Sequence, residues 1–268
     1  MSAMTVAVPR GRRGGLGGTV ASEWLKLRSV RSTWAFAAAL VGALALGGIA
    51  AFFMVADYDS KSAAEQAAFE SADPSALIVP IAQFCLAALG AIAVTGEYAT
   101  GMIRTSLTAV PGRGRIFGAK VAVVGLTAAV LGVAMSFAGY LLGIMAAGDR
   151  TGAIAVPDFA EAGPRIWANA LSIFVMGLLG LGLGTVLRST AGALVTISAL
   201  MFVAPIAAQF LPASIGPKVM SSLTMQLPAQ IAGEPGSFYG QGAAVLVLAL
   251  YAIVPLIAGG LLLKRRDA

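Results

Sequence analysis

Apolar residues run through this chain in six long blocks, and short connecting segments hold nearly all of its charge. The blocks cover residues 34–55, 76–96, 116–147, 166–187, 191–211 and 243–263. A helix needs about 20 apolar residues to cross a hydrocarbon core about 30 Å thick. The pattern therefore predicts an all-α integral membrane protein with six transmembrane helices in one bundle. The third block is longer than one crossing requires, so it projects beyond the bilayer or tilts within it.

Shorter patterns predict smaller elements. Ile215, Val219, Leu223 and Leu227 recur every four residues and make one apolar helical stripe, punctuated by Pro212, Pro217, Pro228 and Pro235. They predict an outer helical segment before the last span, lying on or dipping into the outer leaflet. Residues 63–69, inside an acidic loop, predict a short surface helix. Between the second and third blocks, Met102, Ile103, Leu107 and Val110 share one helical face, and Pro111 with Gly112 ends it. This is a short amphipathic helix with Glu97 at its root.

Composition removes the soluble classes. Hydrophobic residues make up 58% of the 268 and charged residues 11%, against about 25% charged in ordinary domains. Mean hydropathy is +0.87. Charge then sets orientation. Of 18 basic residues, only Lys61, Arg150, Arg165 and Lys218 fall in the loops after odd-numbered spans. The rest mark the cytoplasmic side, so both termini are cytoplasmic. Of 12 acidic residues, only Glu23, Glu97 and Asp267 share that side. Trp24, Trp34 and Trp167 fall at the expected water–lipid boundaries. The net charge of +6 follows from this orientation and calls for no nucleic acid. Residues 1–18 read as a disordered basic tail and 19–268 as a single six-helix transmembrane domain. The basic stretch and first block are too long for a cleavable signal peptide, so the first span is expected to be retained.

The chemistry this sequence lacks is equally informative. There is no histidine, and Cys85 is the sole cysteine, so no intramolecular disulfide forms and no metal site is expected. Lys120 is the one charged residue within the six blocks, near the start of the third. Uncharged spans argue against a proton- or sodium-coupled carrier. No HExxH, GxSxG or intramembrane carboxylate pair is present, and no enzyme activity is expected of this chain. A Walker A sequence is also absent, so energy for any uphill movement must come from another polypeptide.

Some residues carry two readings. Gly118, Gly125, Gly132, Gly139 and Gly143 line one stripe of the third span, for packing within the chain or between two copies. Gln83 and Gln209 suit either a substrate pathway or interhelical hydrogen bonds. Pro205 and Pro255 interrupt the fifth and sixth spans, and the fourth contains GLLGLGLGT.

Two segments carry a family resemblance. SEWLKLRSVRSTW (22–34) precedes the first span, and GEYATGMIRTSLTAVPGRGR (96–115) follows the second. With the six-span layout, they resemble the permease subunits of ABC transporters, in the type-2 exporter branch common in actinobacteria. Glu97, Gly101, Leu107, Pro111, Arg113 and Lys120 match the pattern, while Met102 stands where many relatives carry Thr. The resemblance implies an N-terminal interfacial helix over about 20–32, with Glu23, Trp24, Lys26 and Arg28. It implies a cytoplasmic coupling helix, with Glu97, Gly101, Met102, Ile103, Arg104, Leu107 and Pro111 toward a separate ABC ATPase subunit. ATP and Mg would sit on that ATPase, and a second permease chain would complete a homodimer in the plasma membrane. The resulting function is an ATP-driven exporter of unread substrate. The alternative is a non-transporting membrane immunity or assembly factor with the same fold.

Overall fold

The structure, a computed structural model, describes residues 15–102, 112–150 and 152–265. Among these the fold is all helical. In chain order the helices are α1 (Leu16–Ser29), α2 (Arg31–Asp59), α3 (Ala63–Ala67), α4 (Ser75–Ala99) and α5 (Arg113–Ala147). Then come α6 (Phe159–Leu187), α7 (Thr190–Gln209), α8 (Gly216–Ser222), α9 (Leu227–Ala232) and α10 (Gln241–Arg265). Six of them, α2, α4, α5, α6, α7 and α10, are long and apolar enough to cross a membrane. Each overlaps one apolar block, giving a multi-pass membrane fold. A helix suits such blocks because it satisfies every backbone group internally.

The bundle is built around α6, which packs on α4, α5 and α10. The apolar windows of α4 and α6 are 67% and 72% buried, whereas those of α2, α7 and α10 are 28%, 22% and 17% buried. The core is therefore the α4–α6 pair, with the other helices as a rim. Small residues explain the closeness of that pair. A Cβ built on Gly180 would overlap the carbonyl oxygen of Ala87, and one on Gly184 would lie 2.7 Å from that of Ala91. Only glycine lets the two backbones approach so nearly, and without a hydrophobic drive such contact is what holds membrane helices together. On its other sides α6 meets Pro255 of α10 at Gly182 and Ala128 of α5 at Gly177.

The glycine stripe of α5 is mostly spent within the chain. Gly125 and Gly132 face α6, Gly139 faces Ile78 and Ser75 of α4, and Gly143 faces Val156 and Pro74. Gly118 faces open space.

Helix α7 has a cause for its irregularity. Residues Ala199–Val203 form a π turn just before Pro205. Proline donates no backbone hydrogen bond and its ring crowds the carbonyl four residues earlier; a wider turn absorbs both defects.

The 215–227 stripe does not form one helix. It splits into α8 and α9 around an extended Leu223. Prolines at the second position of each, Pro217 and Pro228, start two helices where the four-residue spacing predicted one. Between them Thr224 is 1% exposed, and Leu227 is fully buried against Val175, Leu248 and Ala244. This segment enters the bundle instead of lying across its end. The expected short helix near residue 63 is present as α3, capped by Ser62 and Glu65.

Candidate functional site

Helix α1 buries an unusual stripe. Thr19, Glu23 and Leu27, four residues apart, are its buried positions, so a carboxylate occupies the centre of its inward face. Beside it lie Lys26 of α1, Glu97 in the last turn of α4 and Lys120 in the second turn of α5. Glu23, Glu97 and Lys120 are only 4–6% exposed; Lys26 is partly exposed.

These four side chains close a ring of alternating charge. Lys26 Nζ donates to Glu23 Oε1 at 2.7 Å and to Glu97 Oε1 at 2.8 Å. Lys120 Nζ donates to Glu23 Oε2 at 2.6 Å and to Glu97 Oε1 at 2.8 Å. Its third proton goes to the carbonyl of Ala93 at 3.0 Å, so its donor capacity is filled. Two cations and two anions cancel, which is how buried charge is tolerated. Glu97 Oε2 is the exception, being buried without a hydrogen-bond partner.

Burial pulls the Lys26 ammonium toward neutrality, but hydrogen bonds to Glu23 and Glu97 outweigh it and raise its pKa above 10.5. A raised value means that its contribution is complete below pH 10.5 and disappears only as pH climbs through the folded value. The Lys26 side of the ring is therefore indifferent to pH in the neutral range.

A cleft of about 250 Å³ opens beside the ring between α1, α4 and α5. Leu27, Leu89 and Val123 give it apolar walls, with Ser29, Thr33 and Met102 also lining it. At the α1–α2 junction Val30 is extended, and α2 starts at Arg31, not at Trp34. Thr33 Oγ1 and Trp34 Nε1 reach back to the carbonyls of Leu27 and Arg28, at 2.5 and 3.2 Å. They satisfy groups that the end of α1 leaves open. The helix begins at Leu16, within the stretch expected to be tail. Arg31 belongs to α2 and is exposed.

The residues expected on the coupling helix separate into three groups. Glu97 belongs to α4 and is buried in the ring, so it ends one helix instead of opening another. Gly101 follows with φ +71°, a left-handed turn that favours glycine. Met102 is exposed beyond it. Ile103, Arg104, Leu107 and Pro111 lie outside the described residues. Of the α1 residues, Glu23 and Lys26 join the ring, while Trp24 and Arg28 point outward and are exposed.

Gln83 and Gln209 do not share a site. Gln209 is exposed at the end of α7, whereas Gln83 is fully buried in α4. Gln83 Nε2 donates to Ser172 Oγ of α6 at 2.8 Å and to the carbonyl of Thr224 at 3.4 Å. A glutamine amide deep in α4 thus supplies the irregular backbone between α8 and α9 with its missing partner, as membrane depth requires. Gln83→Leu is expected to cost about 1 kcal/mol of stability, measured as a lower thermal midpoint in detergent. An unchanged midpoint would make that bond unimportant.

Sequence reading missed two features at the ring end. Arg188 holds a left-handed conformation (φ 51°) in the α6–α7 turn, its guanidinium 5.0 Å from the Tyr98 ring centre. Glu23 as an inward residue was the other. A lone lysine in a span demands a counter-ion, and Glu23 and Glu97 were the nearest carboxylates by topology. Among the described residues, no three His, Cys, Asp or Glu side chains come together to hold a metal ion.

No known family model matches this chain, and no curated protein matches it.

Proposed function

We propose that this chain is the membrane-spanning permease subunit of an ATP-driven ABC exporter. It works as one of two copies in the plasma membrane, with a separate ATPase on the cytoplasmic face. In this reading α1 is the interfacial helix, the segment after Gly101 is the coupling helix, and α8–α9 close the outer side. The observation that supports it is the buried ring: it fastens α1, α4 and α5 together at the point where the chain leaves α4 for residues 102–112. Force applied to that connection reaches three helices at once, because moving one would strand a buried charge. ATP and Mg would act on the ATPase. This chain would receive movement at Met102 and its neighbours and pass it through Glu97 and Lys120.

The test is recovery of an ATPase carrying a Walker A motif with the affinity-purified chain. Met102→Asp and Leu107→Asp place a charge on the apolar docking face. Each is expected to reduce the recovered ATPase at least tenfold while the permease stays in the membrane fraction. If both variants retain the ATPase at wild-type yield, the coupling assignment is wrong. Association without any substrate-dependent ATP turnover, in the reconstituted complex, would favour the immunity or assembly reading.

A further inference from the structure

At the end of the bundle away from the ring lies a second cavity, of about 530 Å³, between the start of α4, the end of α5, the start of α6 and the stretch after α9. That volume suits a small molecule. One side chain in its lining stands apart. Asn169 of α6 is 4% exposed. Its amide makes no hydrogen bond with a described residue, yet neither amide atom is sealed in the packing. The small surface that Asn169 retains opens into this cavity.

The other buried amides show what is ordinary at this depth. Gln83 donates to Ser172 Oγ and to the Thr224 carbonyl. Gln230 donates to the carbonyls of Ser221 and Gln226 and accepts from Tyr239 N. Ser172, a turn further along α6, gives its proton to the Asn169 carbonyl and not to the amide. Asn169 alone of the three buried amides turns its polar end to a cavity. Burying such a group unpaired is costly, so an occupant that satisfies it is stabilised.

The chemistry of that occupant follows from the amide. Asparagine presents an acceptor and a donor side by side in one plane. An ammonium has no acceptor and leaves the Nδ2 protons unmatched. A carboxylate has no donor and leaves Oδ1 unmatched. It also meets a negative lining: Asp73, Glu161 and Glu234 outnumber Arg165, whose Nη1 already donates to Glu234 at 2.5 Å. A primary carboxamide carries the same two groups in the same arrangement and closes both bonds at once.

We infer that this cavity binds an uncharged ligand through a primary carboxamide paired with Asn169. The carboxamide donates to Asn169 Oδ1 and accepts from Nδ2, and the apolar body of the ligand rests on Val156 and Ile166. Glu161, exposed at the rim, turns anions away. The site lies within one chain and stands whether or not the chain pairs with an ATPase.

The probe is β-naphthamide, a primary carboxamide on an apolar fluorophore, titrated onto the purified chain in phosphatidylcholine nanodiscs, with uptake by empty nanodiscs subtracted. Saturable binding is expected. Two isosteres define the contact: methyl β-naphthyl ketone keeps the acceptor without the donor, and β-naphthoate carries a charge. Each should bind about tenfold more weakly or worse, the order set by one unmade hydrogen bond. Asn169→Leu should weaken the amide by a similar factor, while its thermal midpoint without ligand stays level or rises because an unpaired amide is gone. Ala155→Trp, at an exposed position in the lining, should block the probe without touching Asn169, and it decides the matter by itself if Asn169→Leu does not fold. Equal binding of the three compounds, or wild-type affinity in either variant, overturns the site. So does a lack of saturable binding, which would mean that water alone satisfies the Asn169 amide.

Discussion

Lys120→Met is expected to release α1 from the bundle. The substitution keeps roughly the same hydrocarbon volume and removes one ammonium, leaving Glu23 and Glu97 with Lys26 alone. Lys120 makes three hydrogen bonds in this region, one to each carboxylate and one to the Ala93 carbonyl, and is 4% exposed. Removing one partner from a buried ion pair costs about 3–5 kcal/mol, because the uncompensated charge stays buried. The measurements are the thermal midpoint in detergent and trypsin cleavage after Arg28, which is exposed but sits in an ordered helix. Both should change sharply. The quadruple variant Glu23→Gln, Lys26→Met, Glu97→Gln, Lys120→Met removes every charge of the ring and should recover much of the loss. Groups sharing one network are not additive. Agreement of the quadruple variant with the sum of the four single effects would show that the four residues act separately, and the ring would lose its standing as a unit.

Gly180→Ala is the second large effect. In a helix this exchange ordinarily gains up to about 1 kcal/mol. Here the added methyl meets the Ala87 carbonyl, a backbone atom that no rotamer change can move. The helices must part, and the neighbouring contacts at Gly177 and Gly184 open with them. Overpacking of this kind costs about 3 kcal/mol or more. Gly118→Ala is the matched control, since nothing lies within 4 Å of the added atom. The control should melt at or above the wild-type temperature and Gly180→Ala well below it. Equal midpoints would mean that α4 and α6 do not touch as described.

Much of the architecture was legible because a membrane span has a simple signature. Length and apolarity located all six long helices, and the ends differed by a few residues where polar caps extend a helix past its greasy centre. Phe159–Leu187 shows this: the apolar block begins at residue 166, but Glu161 and Arg165 lie in the same helix. Finer elements were harder. The stripe from Ile215 to Leu227 has perfect helical spacing, yet two prolines divide it, and spacing alone does not weigh a missing N–H. The ring was half visible. Lys120 was conspicuous as a lone charge, and Glu97 was singled out, but for a different role. Glu23 escaped because hydropathy places a carboxylate outward by default, and only three-dimensional proximity shows that two lysines reverse that preference. The cavity near Asn169 was invisible: an unbonded amide is a property of surroundings, not of spacing.

The ring also orders the protein's birth. Glu23 and Lys120 are 97 positions apart in the chain, so α1 leaves the ribosome well before its principal counter-ion exists. Before the third span exists, the Glu23 carboxylate has only Lys26, on its own helix, as a partner from the ring. The ring therefore closes only after the third span has been made, and α1 gains its full set of partners late in the synthesis of this half of the bundle.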